Sequence, residues 1–275
     1  MHQYMRPHQG SGLLTQVLEV RFWTSMWVCL LPFCLMVLIS GCAFVQPSAQ
    51  DQEVRARMDL ASSYLANDQP RRALRQLKAL QDQAVKNPDY HYLHGLISAR
   101  LDRNTEAKTH FQEAVNLRAD FGQAWNNLGK VYISLDRKDK ARQAFLQALD
   151  IPTYLTPEYP AYNLARLNVE SGRPEQAEER ARQSLQANPG FVPAILLLSE
   201  LLTAEERLQE AVDVLHRGLN IHPDNVRLMQ DLAQNLLRLG QQEQARQWFE
   251  RIARNADPQS EAAQVAQDYL ELLPE

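Results

Sequence analysis

The 275-residue chain contains only three cysteines, Cys29, Cys34 and Cys42, and all of them lie near its N-terminus. No disulfide framework or cysteine-based metal cluster can therefore hold the remaining residues together. The chain also lacks an excess of positive charge, because 29 Lys and Arg residues are interleaved with 33 Asp and Glu residues, for a net charge of −4. A protein that neutralises nucleic-acid phosphates carries a basic stripe, so we predict no nucleic-acid partner.

Sequence motifs that carry catalysis are missing as well. The chain has no glycine-rich phosphate loop, no dinucleotide fingerprint, no zinc spacing built from cysteine and no strand pattern that could position a nucleophile. We therefore predict that it is not an enzyme and has no catalytic residues, no cofactor, no metal and no small-molecule substrate.

One long apolar run is present near the N-terminus, at residues 22–39, with Arg6 and Arg21 before it and Ser40 and Gly41 after it. A basic flank, an apolar core and small residues are typical of a secretory signal peptide, which we assign to residues 1–41. The alternative is an uncleaved membrane anchor, because the 18 residues of this run can just cross a bilayer core of about 30 Å if they are helical.

The end of this run, Leu38-Ile39-Ser40-Gly41-Cys42, resembles the bacterial lipobox. The resemblance implies that the Cys42 thiol is acylated and that the chain is cleaved before it. Two or more acyl chains anchor a protein stably to a membrane. Ala43 stands where lipoproteins of the inner membrane tend to carry Asp, so the resemblance implies the periplasmic face of the outer membrane. Residues 42–52 are expected to form the lipidated cysteine and a non-helical tether.

A repeat of about 34 residues follows the tether. Six alanines recur at separations of 34, 34, 36, 34 and 34 residues: Ala73, Ala107, Ala141, Ala177, Ala211 and Ala245. The most complete copy contains Trp125, Leu128-Gly129, Tyr132, Ala141, Phe145 and Ala148. This pattern resembles the tetratricopeptide repeat, in which two antiparallel helices bury their apolar faces against neighbouring copies.

The resemblance implies an all-α fold, a right-handed superhelical solenoid of six helix-turn-helix units with a C-terminal capping helix. Residues 53–258 divide into units at about 54–87, 88–121, 122–155, 158–191, 192–225 and 226–258. Residues 259–275 are expected to form the capping helix, from Ser260 to Leu273, and a short tail.

The 36-residue step between units three and four contains three prolines and three tyrosines within residues 151–164, for which we predict an extended, bulging linker. Thr156-Pro157-Glu158 followed by Tyr162-Asn163-Leu164, midway through a six-unit lipoprotein, resembles the pilotin family of type IV pilus biogenesis proteins, PilW/PilF. This resemblance implies that the partner is a secretin subunit, which the protein accompanies to the outer membrane and helps to assemble.

Other lipid-anchored repeat scaffolds remain alternatives, and these serve polysaccharide export, cell-wall synthesis or outer-membrane protein assembly.

In a tetratricopeptide array the first helices line a concave groove, where amides and aromatic rings suit an extended peptide. Aligning the units predicts that the groove contains Tyr92, Leu96, Asn126, Lys130, Tyr159, Tyr162, Arg166, Gln230 and Gln234.

A histidine-based metal site is a third possibility. His91 and His94 lie one helical turn apart, and His110 and Glu113 are expected on the neighbouring helix. However, His91 and His94 occupy the repeat positions of Trp125 and Leu128, which pack between helices. Spacing alone seldom makes a closed site, so we interpret these histidines as packing residues.

Overall fold

A computed structural model describes residues 48–272, without the side chain of Gln81. The predicted signal peptide, Cys42 and residues 273–275 lie outside this range. From Glu53 onward the described residues form one compact unit. Residues 48–272 contain fourteen helices and no strands, which confirms the all-α prediction. Within these residues, no helix combines the length and the apolarity that a membrane-spanning segment needs.

The helices pair as first and second helices of successive units. The first helices are α1, α4, α6, α8, α10 and α12; α3 is a single turn after the second helix of unit one, and α14 follows unit six. In chain order the helices are α1 (Ala49–Ala66), α2 (Pro70–Lys78), α3 (Gln81–Ala84), α4 (Pro88–Arg100), α5 (Asn104–Leu117), α6 (Gly122–Ser134), α7 (Lys138–Leu149), α8 (Glu158–Glu170), α9 (Pro174–Ala187), α10 (Val192–Ala204), α11 (Leu208–Ile221), α12 (Val226–Arg238), α13 (Gln242–Asn255) and α14 (Glu261–Leu272).

The repeated alanines are where the two helices of a unit approach most closely. All six are completely buried, as are the aromatic rings of Phe111, Phe145 and Phe249 four residues after three of them. In units two and three each ring packs on a glycine of the first helix: a Cβ atom added at Gly95 would lie 2.7 Å from the ring of Phe111, and Phe145 packs similarly on Gly129. Small residues on one helix thus make room for a large ring from the other.

The same turn ends the first helix of every unit. Residues 68, 102, 136, 172, 206 and 240 all have positive φ, between 53° and 75°. In unit three, the N–H of Asp136 donates to the carbonyl of Ile133, and that of Arg137 donates to the carbonyl of Tyr132. This is the Schellman arrangement, which satisfies carbonyl groups that the helix end leaves unpaired. The turn sends the chain back antiparallel and so defines each unit.

The first helices lie on the inner side of the array. Consecutive first helices pack on each other from α4 through α12, whereas no two consecutive second helices of the described chain pack to a similar extent. Curvature follows from this difference, because the helices that crowd together lie on the concave side of a solenoid. The face that α4, α6, α8, α10 and α12 share is called the inner groove below.

The first helix begins earlier than we predicted. It starts at Ala49, so the non-helical tether does not extend over residues 49–52. Ser48 and Asp51 form a reciprocal cap: the N–H of Asp51 donates to the Oγ atom of Ser48, and the N–H of Ser48 donates to the Asp51 carboxylate. This pair satisfies helix N–H groups that have no partner within the helix, which explains the early start.

The linker between units three and four is shorter and less extended than we predicted. Only residues 150–157 are non-helical, and they form turns and bends. Tyr159, Pro160 and Tyr162 lie inside α8. Proline is tolerated there because Pro160 is in the first turn, where its missing N–H would have no helical partner.

The last helix closes the core of the array. Tyr269 of α14 stacks on Phe249 of α13 with ring centroids 4.5 Å apart, and Ala263 and Ala266 are buried. Ser260 acts as the N-cap, since its Oγ atom accepts a hydrogen bond from the N–H of Ala263. The outward residues Gln264, Gln267 and Asp268 are exposed, as the outer face of a terminal helix requires.

Candidate functional site

The inner groove contains a cleft of about 500 Å³ where the first helices of units one to three meet. Leu65 of α1, Leu96 of α4, and Asn127 and Lys130 of α6 contribute to its walls. The structure therefore brings together two residues that the sequence predicts for the groove, Leu96 and Lys130. Asn127 was not predicted, and its repeat position gives no signal for the groove, since the equivalent Leu93 is buried.

An aromatic cluster lies further along the inner groove. Tyr159 and Tyr162 of α8 both pack edge-on against Phe191, with ring centroids 5.1 Å and 5.5 Å apart. Tyr159 is 45% exposed, whereas Tyr162 and Phe191 are half-buried. Phe191 was not predicted, because it lies just before α10 and not on a first helix. An exposed tyrosine that packs on another aromatic ring can bind an apolar side chain at little cost in conformational entropy.

Two exposed cations lie on the same face as this cluster. Lys130 of α6 and Arg166 of α8 occupy equivalent repeat positions, and within residues 48–272 neither forms an ion pair. By contrast, Arg100 of α4 pairs with Asp68 at 2.8 Å. The residue of α10 that is equivalent to Lys130 and Arg166 is Glu200, so the sign of the charge at this repeat position changes toward α10. The middle of the groove is thus suited to a carboxylate of a bound segment.

Asn126 does not have the free amide that we expected of a groove residue. It is buried, and its Oδ1 atom accepts a hydrogen bond from the Nδ2 atom of Asn163 at 3.0 Å. The bond joins α6 to α8 across the long connection. Asn126 therefore positions units three and four relative to each other. The amide nitrogen of the neighbouring Asn127 donates to the Gln123 carbonyl and to the Tyr92 hydroxyl, which leaves its Oδ1 atom as the group that a partner can reach.

Tyr92 also contributes mainly to packing. Its ring lies 4.7 Å from that of Phe121 and 5.9 Å from that of Phe111, and its hydroxyl accepts a hydrogen bond from Asn127. Burial raises the pKa of Tyr92. Gln230 and Gln234 lie on α12, the first helix of unit six. Gln230 is half-buried and Gln234 is exposed.

His91 and His94 are buried between the helices of unit two, as we expected of packing residues. The acidic neighbour is Glu106, not Glu113, because the ligand atoms of His94, Glu106 and His110 lie within 4.8 Å of one another. Glu106 and Glu113 lie four and three residues from His110 on α5, so both share its face, and only the distances between side chains distinguish them. Burial and the neighbouring histidines lower the pKa of His110 to about 4.

Stacked helix pairs with an inner groove define a class: helical-repeat proteins that bind protein segments, modules that are generally non-catalytic. Sequence models described as tetratricopeptide repeat match residues 58–120, 122–152, 168–221 and 202–268. The chain belongs to the tetratricopeptide-repeat proteins.

Solved structures of pilus proteins share this fold. PilF of Pseudomonas aeruginosa has a TM-score of 0.67 and 19% sequence identity, over 80% of this chain and 99% of that one. PilW, described as a widely conserved type IV pilus biogenesis factor, has a TM-score of 0.65 and 23% identity, over 78% of this chain and 98% of that one. The predicted resemblance to PilW/PilF is thus confirmed at the level of the repeats and their packing.

Curated relatives are similar over shorter stretches. Protein O-mannosyl-transferase TMTC3 of Homo sapiens is 31% identical over 101 residues, which is 36% of this chain and 11% of that protein. Anaphase-promoting complex subunit 7 of Arabidopsis thaliana is 27% identical over 177 residues, or 64% of this chain and 31% of that protein. The chain spans less than a third of the length of either relative, and the similarity concerns the repeats.

Proposed function

We propose that this protein is a lipid-anchored periplasmic scaffold of type IV pilus biogenesis, a pilotin that binds secretin subunits. The observation that carries the proposal is the inner groove, where the exposed ring of Tyr159 lies on the same face as two cations without ion-pair partners in residues 48–272. The similarity to PilF and PilW, which covers nearly the whole of those two chains and about four fifths of this one, supports the pilus context.

The groove favours a partner segment of mixed character. Tyr159, Tyr162 and Phe191 would cover an apolar or aromatic side chain, and the amide oxygen of Asn127 would accept a hydrogen bond from a backbone N–H of the segment. Lys130 and Arg166 would attract a carboxylate, which speeds association and sets the direction of the segment more than it adds affinity. A secretin segment with one apolar residue near an acidic one would satisfy these contacts.

Lipidation at Cys42 would place this groove at the membrane. The proposal rests on the lipobox resemblance, since Cys42 lies outside the described residues. Tethering confines the scaffold and its bound subunit to a thin layer, so the effective concentration of subunits rises where the ring assembles. The acyl chains supply targeting, and the groove supplies recognition.

The targeting half is tested by Cys42→Ala, with Cys34→Ala as the matched control. Both remove one thiol, but Cys34 lies within the predicted signal core. We expect Cys42→Ala to abolish lipid labelling and to reduce the amount of secretin multimer in outer-membrane fractions, while Cys34→Ala leaves both unchanged. Undiminished multimers with Cys42→Ala would refute the pilotin proposal.

The recognition half is tested by Tyr159→Ala and by the double charge reversal Lys130→Glu with Arg166→Glu. Ile221→Ala is the control, because Ile221 is a similarly exposed apolar residue on the second helix α11, away from the inner groove. Co-purification of secretin from detergent-solubilised membranes is measured. We expect both groove variants to lose most of the secretin and the control to retain it; retention by both groove variants would place recognition elsewhere.

A further inference from the structure

Three histidines and one glutamate of unit two converge between its helices. His91 and His94 lie on α4, and Glu106 and His110 lie on α5. One ligand atom each from His94, Glu106 and His110 lie within 4.8 Å of one another, and the rings of His94 and His110 stack with centroids 3.7 Å apart. Two imidazoles and a carboxylate are a donor set that zinc and related transition-metal ions prefer.

Hydrogen bonds determine which nitrogen atoms carry a lone pair. The Nε2 atom of His91 lies 2.8 Å from the carbonyl oxygen of Val85, so Nε2 must donate, because a carbonyl oxygen only accepts. In the neutral ring the Nδ1 atom of His91 then accepts from the Nδ1 atom of His110, at 3.0 Å. The Nε2 atom of His110 is consequently unprotonated and presents a lone pair.

The second histidine can present the same nitrogen. The Nδ1 atom of His94 lies 3.2 Å from the Oγ atom of Ser98, and because a hydroxyl both donates and accepts, this hydrogen bond allows the tautomer in which Nδ1 donates and Nε2 carries the lone pair. Within the part of the chain that the structure describes, the Nε2 atoms of His94 and His110 have no hydrogen-bond partner. Burial lowers the pKa of both rings, which keeps them neutral near pH 7, the state in which imidazole binds metals.

Packing alone does not account for these residues. The same positions of unit three carry Leu128 and Ala144, which are completely or almost completely buried and form part of an apolar core. Replacing such residues by imidazoles costs desolvation energy, which a ligand of the ring nitrogens can offset. The neighbouring unit thus shows that the fold does not need histidine there.

We propose that His94, Glu106 and His110 bind one divalent transition-metal ion of the zinc class, with His91 as a positioning residue for His110. Binding requires the two rings to rotate about their side-chain bonds out of the stacked arrangement, so that the Nε2 atom of each points at the ion, and the partly exposed carboxylate of Glu106 completes the protein ligands. A water molecule fills the open position of a tetrahedral site. The ion links α4 to α5 and so strengthens unit two.

The full chain, purified in detergent and freed of metal with a chelator, would be titrated with Zn²⁺ by calorimetry. Cysteines and other histidines of the chain can also bind zinc, so the decisive quantity is the difference between wild type and variants. His94→Leu and His110→Ala introduce the residues that unit three carries at the same positions, which preserves the fold. We expect each variant to lose one equivalent of bound zinc.

His91→Met introduces the residue that unit six carries at this position, Met229. Because it removes the group that orients His110, we expect a 10- to 100-fold weaker zinc affinity; the melting temperature of the metal-free variant is measured as well, since the hydrogen bond to the Val85 carbonyl is also lost. Glu106→Gln should weaken binding in the same way. His216→Gln, on α11, is the control and should retain the wild-type stoichiometry.

Thermal unfolding gives a second measurement. Zn²⁺ should raise the melting temperature of wild type and of His216→Gln, and should have no such effect on the His94→Leu/His110→Ala double variant. Equal zinc stoichiometry and equal thermal shifts for wild type and the double variant would overturn the proposal, as would an unchanged affinity in both Glu106→Gln and His91→Met.

Discussion

The side-chain amide of Asn163 donates a hydrogen bond to the Oδ1 atom of Asn126, and the two atoms are 3.0 Å apart. The residues lie on α8 and α6, so the bond joins units three and four, whose connection, residues 150–157, is the longest uninterrupted non-helical connection between consecutive units of the described chain. Asn126 is only 8% exposed, so water cannot readily replace its partner. The bond fixes the angle between two units that both contribute to the inner groove.

Removal of this donor should destabilise the protein. We expect Asn163→Ala to lower the free energy of unfolding by about 1 kcal/mol, because the buried oxygen of Asn126 loses its partner. Asn116→Ala, whose amide is exposed on α5, should change it by less than about 0.5 kcal/mol. Denaturant unfolding of both variants measures the difference, and equal effects would show that the bond has no stabilising role.

Gly129 and Gly172 should both resist substitution by alanine, for different reasons. A Cβ atom at Gly129 collides with the ring of Phe145, which should cost about 1–3 kcal/mol. Gly172 has no atom within 4 Å of its Cβ position, but its φ of +66° should cost about 1 kcal/mol. Phe145→Leu, which replaces the ring by a smaller aliphatic side chain, should relieve the first penalty and not the second.

Double-mutant cycles with Phe145→Leu separate the two causes. We expect a favourable coupling energy with Gly129→Ala and none beyond error with Gly172→Ala. A coupling energy of zero in both cycles would contradict the close packing of Phe145 on Gly129.

Replacement of Asp136 by glycine should stabilise the folded protein. Its φ is 56°, in the left-handed region that a side chain disfavours, and glycine occupies the same turn in units four and six. We expect Asp136→Gly to raise the free energy of unfolding by up to about 1 kcal/mol. Gln147→Gly, at an exposed position within α7, should lower it by about 1 kcal/mol. If both glycines destabilise equally, the turn does not govern the effect.

The histidine cluster should make the metal-free chain sensitive to acid. Burial and the neighbouring His94 and His91 lower the pKa of His110 from 6.5 to about 4. The unfolded chain therefore binds a proton at a pH where the folded chain does not, so stability is full above about pH 6.5 and falls as the pH drops toward 4.

We expect this group to cost on the order of 1–2 kcal/mol between pH 7 and pH 5, after a discount for its partial exposure. Unfolding with a chelator present measures the cost. His110→Ala should remove most of the difference between the two pH values, although Glu106 and Lys78 also act on the neighbouring His94. A pH dependence that is the same in wild type and variant would assign the acid sensitivity to other groups.

The repeat period was enough to predict the helices and their pairing. Small residues such as Ala141 and Gly129 recur where two helices must touch. The period of 34 residues identifies these positions from the sequence, without knowledge of the contacts. The same period could not predict Asn127 as a groove residue, because its equivalents are Leu93, which is buried, and Asn163, which bonds to Asn126. It could not predict Phe191, which reaches the groove from outside a first helix.

The sequence by itself determined the architecture, because the same small and apolar residues recur in every unit and pack its two helices in the same way. Only the tertiary structure decided the roles of individual polar residues. Asn126 is buried against Asn163, although repeat position alone made it a groove residue, and Glu106 instead of Glu113 joins His94 and His110. These outcomes depend on distances between side chains of different helices, and the spacing of residues along one helix does not contain them.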